Sequence, residues 1–307
     1  MAPLRTIAGR VGPRVMAIAS QQTRGMATEK QIFNQINSTK NITKITSSMK
    51  MVSAAKLKGD ETRLAAAIPF NKWTYEICPE PQLVEDATYE ELPKKVLIVP
   101  FTSEKGLCGG VNSFISRATR DMVKKLSDQG KEADIVVIGD KGRGQMRRTV
   151  ADSILRSATE VISPGSYALA SALTSELIAA GAGEYDAVVM IYNSYVNAAV
   201  YKQMYKVIPA LTVEGDEGSV LDTYDFDSDK MESMADLYEF MLSSQVFHCF
   251  MDGAAAEQSA RMTAMENATK NANEMIDKLT LQYNRARQAR ITTELIEIIS
   301  GASALDD

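Results

Sequence analysis

Glycine-rich turns are the segments of this 307-residue chain whose residue types most readily suggest chemistry. Gly106, Gly109 and Gly110 lie in the segment GLCGGVN (residues 106–112), directly after a β-branched run, where nucleotide-binding folds place their phosphate-binding loop. The segment lacks both the Lys-Ser/Thr pair of a P-loop and the G-x-G-x-x-G spacing, and GDKGRGQ (residues 139–145) fits neither pattern. We therefore interpret residues 106–112 as a tight strand-to-helix turn, with nucleotide binding as the alternative.

Histidine and cysteine are too sparse for the common catalytic and metal-binding arrangements. His248 is the only histidine, and Cys78, Cys108 and Cys249 are far apart with no C-x-x-C pair. This inventory excludes a His-based triad, a zinc ribbon and a disulfide framework. We therefore expect no catalytic residue, no metal site and no bound cofactor, and the enzyme class is disfavoured.

The composition narrows the class of partner. A formal net charge of -5 argues against nucleic acid, because phosphate-backbone binding needs an excess of basic residues. With 45% hydrophobic and 24% charged residues the chain has a soluble globular balance. No apolar run reaches the ~18 to 20 residues of a membrane-spanning helix, so any membrane association is expected to go through another protein.

The N-terminal segment has the composition of a targeting signal. It contains no acidic residue before Glu29 and four arginines, which are Arg5, Arg10, Arg14 and Arg24. Arginines interleaved with apolar, small and hydroxyl residues are typical of a mitochondrial presequence, and a disordered basic arm is the alternative. We predict a presequence over residues 1–26, with cleavage between Arg24 and Ala27.

The next stretch is compatible with one long helix. Only Gly59 interrupts it between Thr28 and Ile68, and Pro69 is expected to close it. Apolar residues recur at spacings of three and four, which predicts a seam on one face of an N-terminal helix over residues 27–70. The members of this predicted seam are Ile42, Ile45, Met49 and Val52, preceded by Ile32 and Ile36.

The central zone alternates between strand-like and helix-like patterns. Three β-branched runs predict strands, at Lys95–Phe101, Ala133–Asp140 and Ala187–Tyr192. The intervening stretches 112–129 and 167–180 predict helices, so we expect a mostly parallel sheet covered on both faces. Val200–Ile208 alternates more strictly and predicts an edge strand that ends at Pro209. These elements define an α/β domain over residues 93–212, with a connector at 71–92 and a solvated acidic loop at 213–228.

The C-terminal zone predicts a second long helix, over residues 229–307. It contains no proline, and no glycine lies between Gly253 and Gly301. A heptad seam of mixed Met, Ala and Thr character predicts modest adhesion, and we prefer an intramolecular coiled coil with the first helix over a homodimeric zipper. The seam consists of Met262, Met265, Thr269, Ala272, Ile276, Leu279, Tyr283, Ala286, Arg290 and Thr293.

The end of the C-terminal helix is predicted to be apolar on more than one face. Such a segment must be enclosed, and because no other part of the chain is left to do so, an external sleeve is implied. Its apolar residues are Ile291, Leu295, Ile296, Ile298 and Ile299.

Three segments resemble the gamma subunit of F-type ATP synthases, and specifically a mitochondrial one. They are KNITKITSSMKMVSAAKL (residues 40–57), GLCGGVN, and the long segment from Ala260 to Leu305. The resemblance covers nearly all of the mature chain. It implies an antiparallel coiled coil of the N- and C-terminal helices with an inserted Rossmann-like α/β domain.

The resemblance also implies a role and a set of partners. The paired helices would form a rotor shaft inside a hexamer of alpha and beta subunits, one copy per complex, and would couple c-ring rotation to ATP synthesis without catalysing a reaction. The α/β domain would attach to the c-ring together with the delta and epsilon subunits. The chain would lie peripherally on the matrix side of the mitochondrial inner membrane, contacting the membrane only indirectly.

The family's contact cluster between shaft and hexamer falls on five residues here. Arg287, Gln288 and Thr292 carry it, with Glu294 close behind and Met49 facing them from the first helix. Arg287 could offer a bidentate guanidinium to carboxylates of the hexamer. The alternatives are a solvated arginine, and for Glu294 a weak intrahelical pair.

The chain departs from the family pattern at several positions. Glu104 and Lys105 stand where the family has an Asp-Arg pair, Ser47 and Ser48 replace Lys-Ala, and Arg290 occupies a seam position usually held by a smaller or apolar residue. These differences affect the chemistry of individual contacts rather than the role. A separate basic patch fits either an acidic partner surface or plain solvent exposure, and it consists of Lys141, Arg143, Arg147 and Arg148.

Overall fold

The computed structural model describes residues 29–87, 89–210 and 229–306. The predicted presequence and the acidic loop at 213–228 lie outside these residues. The described chain divides into two compact units. Residues 39–275 form the larger unit, and residues 29–38 together with 276–306 form the smaller one.

A mixed sheet forms the centre of the larger unit. Within the described residues it has six strands in the order β1-β6-β5-β2-β3-β4. β2 pairs in parallel with β3 and β5, and β3 with β4, whereas β6 is antiparallel to β5 and β1. The strands are β1 (Gln82–Leu83), β2 (Lys95–Pro100), β3 (Glu132–Ile138), β4 (Ile154–Ala158), β5 (Ala187–Asn197) and β6 (Val200–Pro209).

The prediction of a parallel sheet is therefore confirmed for β2 to β5. The position of β6 and the number of strands differ from the prediction. β6 is not an edge strand, because β1 pairs with it at Gln82↔Tyr205 and Leu83↔Met204. The sequence pattern missed β1, which has only two residues, and β4, whose run ILRSA is half exposed and has a single β-branched residue.

Helices cover both faces of the sheet because alternate residues of each buried strand point to opposite sides. On one face Leu97 and Val99 of β2 pack with Met241 and Val246 of the C-terminal helix. On the other face Val96 and Ile98 pack against a second layer of helices. The short helices of this domain are α2 (Val111–Asp128), α3 (Asp140–Met146) and α4 (Tyr167–Ala179).

Two long helices carry the terminal parts of the described chain. They are α1 (Glu29–Asn71) and α5 (Lys230–Asp306). Pro69 does not end α1 as expected but lies in its last turn. Proline removes one backbone donor and disfavours further helix, and α1 ends two residues after Pro69, at Asn71. No helix among the described residues combines the length and the apolar character that crossing a bilayer requires.

The two helices pack against each other in antiparallel fashion within the larger unit. Thr46 Oγ1 lies 2.7 Å from Thr269 Oγ1, and Lys50 Nζ lies 3.1 Å from Glu266 Oε2. Met265 and Ala272 of the predicted α5 seam are buried there. The predicted intramolecular coiled coil is therefore present in this unit.

The predicted apolar seam of α1 is wrong in its central part. Ile42, Ile45 and Val52 are 52%, 58% and 56% exposed, and Met49 is half-buried. The buried face instead has hydroxyl residues at a spacing of seven in its first half, and from Ser53 onward it repeats at spacings of three and four. It consists of Thr39, Thr46, Ser53, Leu57, Asp60, Leu64 and Ala67.

Local hydrogen bonding explains why hydroxyl residues occupy this face. Thr46 Oγ1 donates to Thr43 O at 3.1 Å, and Thr269 Oγ1, which faces it from α5, donates to Met265 O at 2.8 Å. Their polar atoms are thus satisfied on their own helices, so small threonine side chains can line a close helix-helix contact without the cost of an unpaired hydroxyl.

The smaller unit shows the same kind of antiparallel pairing. Phe33 and Tyr283 have ring centroids 6.0 Å apart, and Arg290 Nε lies 3.1 Å from Glu29 Oε2. Ile32 and Ile36 are buried, as the sequence predicted. The α5 seam continues through half-buried positions as far as Ala286 and ends there, because Arg290 and Thr293 are exposed.

Candidate partner interface

The predicted contact residues of α5 lie on an exposed surface of the smaller unit. Arg287, Gln288, Thr292 and Glu294 are all exposed. Thr292 Oγ1 donates to Gln288 O at 2.9 Å, so this hydroxyl is already bonded within the helix. Thr292 can still accept a hydrogen bond from a partner, because a hydroxyl oxygen has free lone pairs.

Within the described part of the chain Glu294 forms an ion pair, whereas Arg287 forms none. Glu294 Oε1 lies 3.6 Å from Arg290 Nε, which also contacts Glu29, so the intrahelical alternative for Glu294 is realised and contributes a few tenths of a kcal/mol. Among the ion pairs of the described residues none includes Arg287. Its guanidinium is therefore available for a carboxylate on another chain.

The apolar end of α5 is exposed along its whole length. Its five large aliphatic residues are between 48% and 69% exposed, and no described residue buries them. Contiguous exposed apolar surface of this kind marks an interaction site. The residues are Ile291, Leu295, Ile296, Ile298 and Ile299.

Met49 belongs to the larger unit, where it lines a groove of about 540 Å³ together with Val52, Lys56, Lys105 and Ile162. The four α5 residues belong to the smaller unit, so a contact of all five with one partner stays a prediction.

The glycine-rich turn between β2 and α2 packs against α5. Gly109 has a φ of +63°, and a Cβ at this position would lie 3.9 Å from Ala260 O and 3.8 Å from Ala264 Cβ. Gly106 O accepts a hydrogen bond from Arg261 Nη2 at 3.5 Å. This segment therefore serves as a contact between the sheet domain and the long helix, and the tight turn formed by Gly106, Gly109 and Gly110 stays a prediction.

The crevice at the carboxyl ends of the parallel strands is nearly filled. In open α/β sheets this crevice is where nucleotides bind. Here Phe250 and Gly253 of α5 close it against Ser103 and Asn193, which leaves a cavity of about 50 Å³. Ligand pockets usually measure ~300 to 1,000 Å³, so this crevice is too small for a nucleotide.

A polar contact at the end of β5 has no counterpart among the sequence predictions. Tyr195 N donates to Asp252 Oδ1 of α5 at 2.6 Å, and Tyr195 Oη donates to Glu61 Oε1 of α1. These residues are separated by 57 and 134 positions in the sequence. No local pattern could have paired them.

Asp252 is buried, and this burial raises the pKa of its carboxyl to about 6, against the opposing effect of hydrogen bonds from the Tyr195 backbone and the Ser194 side chain. An unfolded aspartate ionises near its ordinary value of 3.8. The contribution of Asp252 to the free energy of unfolding is therefore most favourable below about pH 4, and it is lost as the pH rises through about 6.

We compare the free energy of unfolding of Asp252→Asn with that of the wild type. We expect this difference to favour the variant by roughly 3 kcal/mol more at pH 8 than at pH 4. The amide is neutral at both pH values and still accepts the Tyr195 N–H. Urea denaturation at the two pH values measures this difference. Asp236→Asn, at an exposed position of the same helix, is the control and is expected to show no such change. A pH-independent effect of Asp252→Asn would contradict the raised pKa.

The geometry described above defines a class of protein, an antiparallel pair of long helices with an α/β domain inserted between them. Residues 28–305 match a family model described as ATP synthase. The chain is 43% identical over 289 residues to the mitochondrial ATP synthase subunit gamma of Drosophila melanogaster, with 93% of each chain covered. It is 39% identical over 297 residues to the ATP synthase gamma chain of Paracoccus denitrificans, covering 91% of this chain and 100% of the other.

Two solved structures are similar to the fold. The central stalk and c-ring structure of the Tetrahymena thermophila mitochondrial ATP synthase contains a chain that matches with a TM-score of 0.58 and 29% identity, covering 73% of this chain and 99% of that one. A chain of the Euglena gracilis mitochondrial ATP synthase matches with a TM-score of 0.74 and 21% identity, covering 90% and 94%.

The chain belongs to the gamma-subunit family of ATP synthases. It is a stalk subunit, and its mitochondrial relatives assign it to a mitochondrial enzyme complex. The family resemblance inferred from residues 40–57, 106–112 and 260–305 is confirmed.

Proposed function

We propose that this chain is the non-catalytic rotor of a proton-translocating ATP synthase. Its two long helices turn inside a hexamer of alpha and beta subunits and couple c-ring rotation to conformational changes at the catalytic sites. The observation that supports this most strongly is the exposed apolar end of α5, from Ile291 to Ile299, which follows the exposed Arg287 on the same helix. An apolar helix end with a free guanidinium fits an enclosing partner that supplies both an apolar sleeve and a carboxylate.

The exposed face of α1 supports the same proposal. Ile42, Ile45 and Val52 form an apolar row that the coiled coil does not use, since threonines line the contact with α5 instead. A helix with one face paired internally and a second apolar face exposed fits a shaft with a protein around it.

Coupling follows from the asymmetry of such a shaft. Two different helices cannot present the same surface in three directions, so three identical catalytic sites around them experience different contacts at any moment. Each site's conformational equilibrium is then biased by the orientation of the shaft, since a ligand shifts an equilibrium only by its differential affinity for the states. Scattered Met, Ala and Thr contacts keep the adhesion weak enough for rotation.

The sheet domain is proposed to bind the c-ring and the small delta and epsilon subunits, on the matrix side of the mitochondrial inner membrane. The chain then reaches the membrane only through the c-ring. In the basic patch Lys141 and Arg143 both pair with Asp140, whereas Arg147 and Arg148 are exposed and form no ion pair with a described residue, which leaves these two for an acidic partner surface. Plain solvent exposure of these two arginines is the alternative.

A non-catalytic role is supported by the state of the reactive side chains. Burial lowers the pKa of His248 to about 4 and raises the pKa of Cys78 to about 11, so neither is an accessible base or nucleophile near neutral pH. Cys108 and Cys249 are also buried.

Assembly with alpha and beta subunits tests the proposal. We expect the mature chain to form a complex with them in a ratio of one copy per hexamer, measured by native mass spectrometry, and to restore proton-coupled ATP synthesis to membranes depleted of their gamma subunit. The chain alone is expected to hydrolyse no ATP. A stable homodimer that ignores alpha and beta subunits would instead indicate a free coiled-coil scaffold and would refute the rotor assignment.

A further inference from the structure

A rotor must transmit torque between its sheet domain and its two long helices. In the larger unit, Tyr195 of the sheet domain forms hydrogen bonds with both helices. Tyr195 lies near the end of β5, where its backbone N–H donates to Asp252 of α5 and its hydroxyl donates to Glu61 of α1. Its ring packs against the apolar cluster formed by Leu57 of α1 and Met251 of α5, among others. Tyr195 thus fixes both helices to the same strand.

The hydroxyl of Tyr195 is a permanent donor. Burial and then the hydrogen bond to Glu61 raise the pKa of Tyr195 to about 12, so the phenol stays protonated at any physiological pH. The hydroxyl donates to the Glu61 carboxylate and the backbone N–H to the Asp252 carboxylate, and hydrogen bonds to charged acceptors are shorter and stronger than those between neutral groups.

Two further hydrogen bonds join α5 to turns of the sheet domain. Ser259 Oγ donates to Ala198 O at 2.9 Å in the turn between β5 and β6, and Arg261 Nη2 donates to Gly106 O at 3.5 Å in the turn after β2. Asp252 and Ser259 are seven residues apart and therefore lie on one side of the helix, whereas Arg261 lies roughly opposite at ~100° per residue. The sheet domain thus contacts α5 on two opposite sides.

Opposed directional contacts resist rotation of a helix about its own axis. Apolar packing is non-directional and permits sliding, but a hydrogen bond weakens steeply when its angle is distorted. We infer that Tyr195, through its bonds to Asp252 and Glu61, is the positioning residue that transmits torque between the sheet domain and the helix pair. This inference rests on the proposed rotor function.

Torsional stiffness of the assembled complex tests the inference. The alpha and beta subunits are immobilised, and a bead is attached to the sheet domain through Gly144→Cys, an exposed position of α3 with open space around it. The three natural cysteines are buried, which makes this attachment specific. We expect Tyr195→Phe to broaden the angular fluctuations of the bead during a pause, which is a loss of torsional stiffness.

Tyr205→Phe is the matched control. It makes the same chemical change and removes a hydroxyl bond to Gln82, but that bond joins β6 to β1 and involves neither long helix. We expect similar small losses of thermal stability in both variants and a loss of stiffness only in Tyr195→Phe. Equal stiffness in the two variants would overturn the inference, whether both match the wild type or both lose stiffness.

Variants of Glu61 separate the bond from general packing. Glu61→Ala is expected to reproduce the loss, and adding Tyr195→Phe to it is expected to cause no further loss, because both changes remove one interaction. Glu61→Gln keeps an acceptor and is expected to restore stiffness; an additive double variant would count against the inference. Failure of the wild-type chain to assemble with the hexamer would refute the rotor function itself, which distinguishes that outcome from failure of the Tyr195 contact.

Discussion

Replacing Arg287 by alanine is expected to impair coupled ATP synthesis while leaving the isolated subunit folded. The side chain is exposed and makes no ion pair among the described residues, so its removal is expected to change the free energy of unfolding by less than about 0.5 kcal/mol. In the complex the substitution is expected to remove the hydrogen bonds that the Arg287 guanidinium donates to a carboxylate of the hexamer. That loss costs about 1.5 to 3 kcal/mol, or on the order of tenfold to a hundredfold in affinity for the hexamer.

The measurements are the affinity of the subunit for the alpha-beta hexamer and the rate of proton-coupled ATP synthesis. Arg285→Ala is the matched control, because it removes an equally exposed arginine from the same helix about 200° away around the axis. Normal coupling in Arg287→Ala, or an equal defect in Arg285→Ala, would rule out a specific contact by Arg287.

Gly139→Ala is expected to destabilise the sheet domain strongly. Gly139 follows β3 with a φ of +101° and a ψ of +139°, a conformation that residues with a side chain rarely adopt. A Cβ there would lie only 2.2 Å from the backbone oxygen of Thr102. Backbone strain of ~1 to 3 kcal/mol adds to the displacement of the Thr102 backbone just after β2, so we expect a loss of about 3 kcal/mol or more in the free energy of unfolding.

Thermal unfolding measures this loss, which corresponds to a fall in Tm of about 6 to 12 °C. Gly144→Ala in α3 is the control. A Cβ at Gly144 meets nothing within 4 Å, and alanine favours helix over glycine, so this variant is expected to gain about 0.5 to 1 kcal/mol. A Gly139→Ala protein as stable as the wild type would show that the backbone relaxes there without cost.

The two long helices show where sequence patterns suffice and where they fail. The seam of α5 follows its heptad pattern as far as Ala286, because its apolar and small residues are the ones that face α1. On α1 the apolar pattern identified the wrong face around Ile45. Hydrophobicity alone cannot identify a contact in which Thr46 and Thr269 meet through their hydroxyl groups.

The sheet was predictable where strands are buried on both faces and unpredictable at its margins. β2, β3 and β5 each contain a buried apolar run rich in Val and Ile, whereas β1 is a two-residue strand with no pattern to detect. The candidate contact residues around Arg287 came from family resemblance, since an exposed arginine has no distinguishing local signal. Tyr195 and its carboxylate partners were missed because the fold alone brings them together.

The burial of one sheet face beneath α5 has a consequence for biosynthesis. Leu97 and Val99 are translated about 140 residues before Met241 and Val246, the side chains that cover them. The α4 residues Ala170 and Leu177 cover part of this face earlier, but the part under α5 stays uncovered until α5 has been synthesised. Nascent chains of this subunit therefore expose apolar surface late into synthesis, and such surface is aggregation-prone.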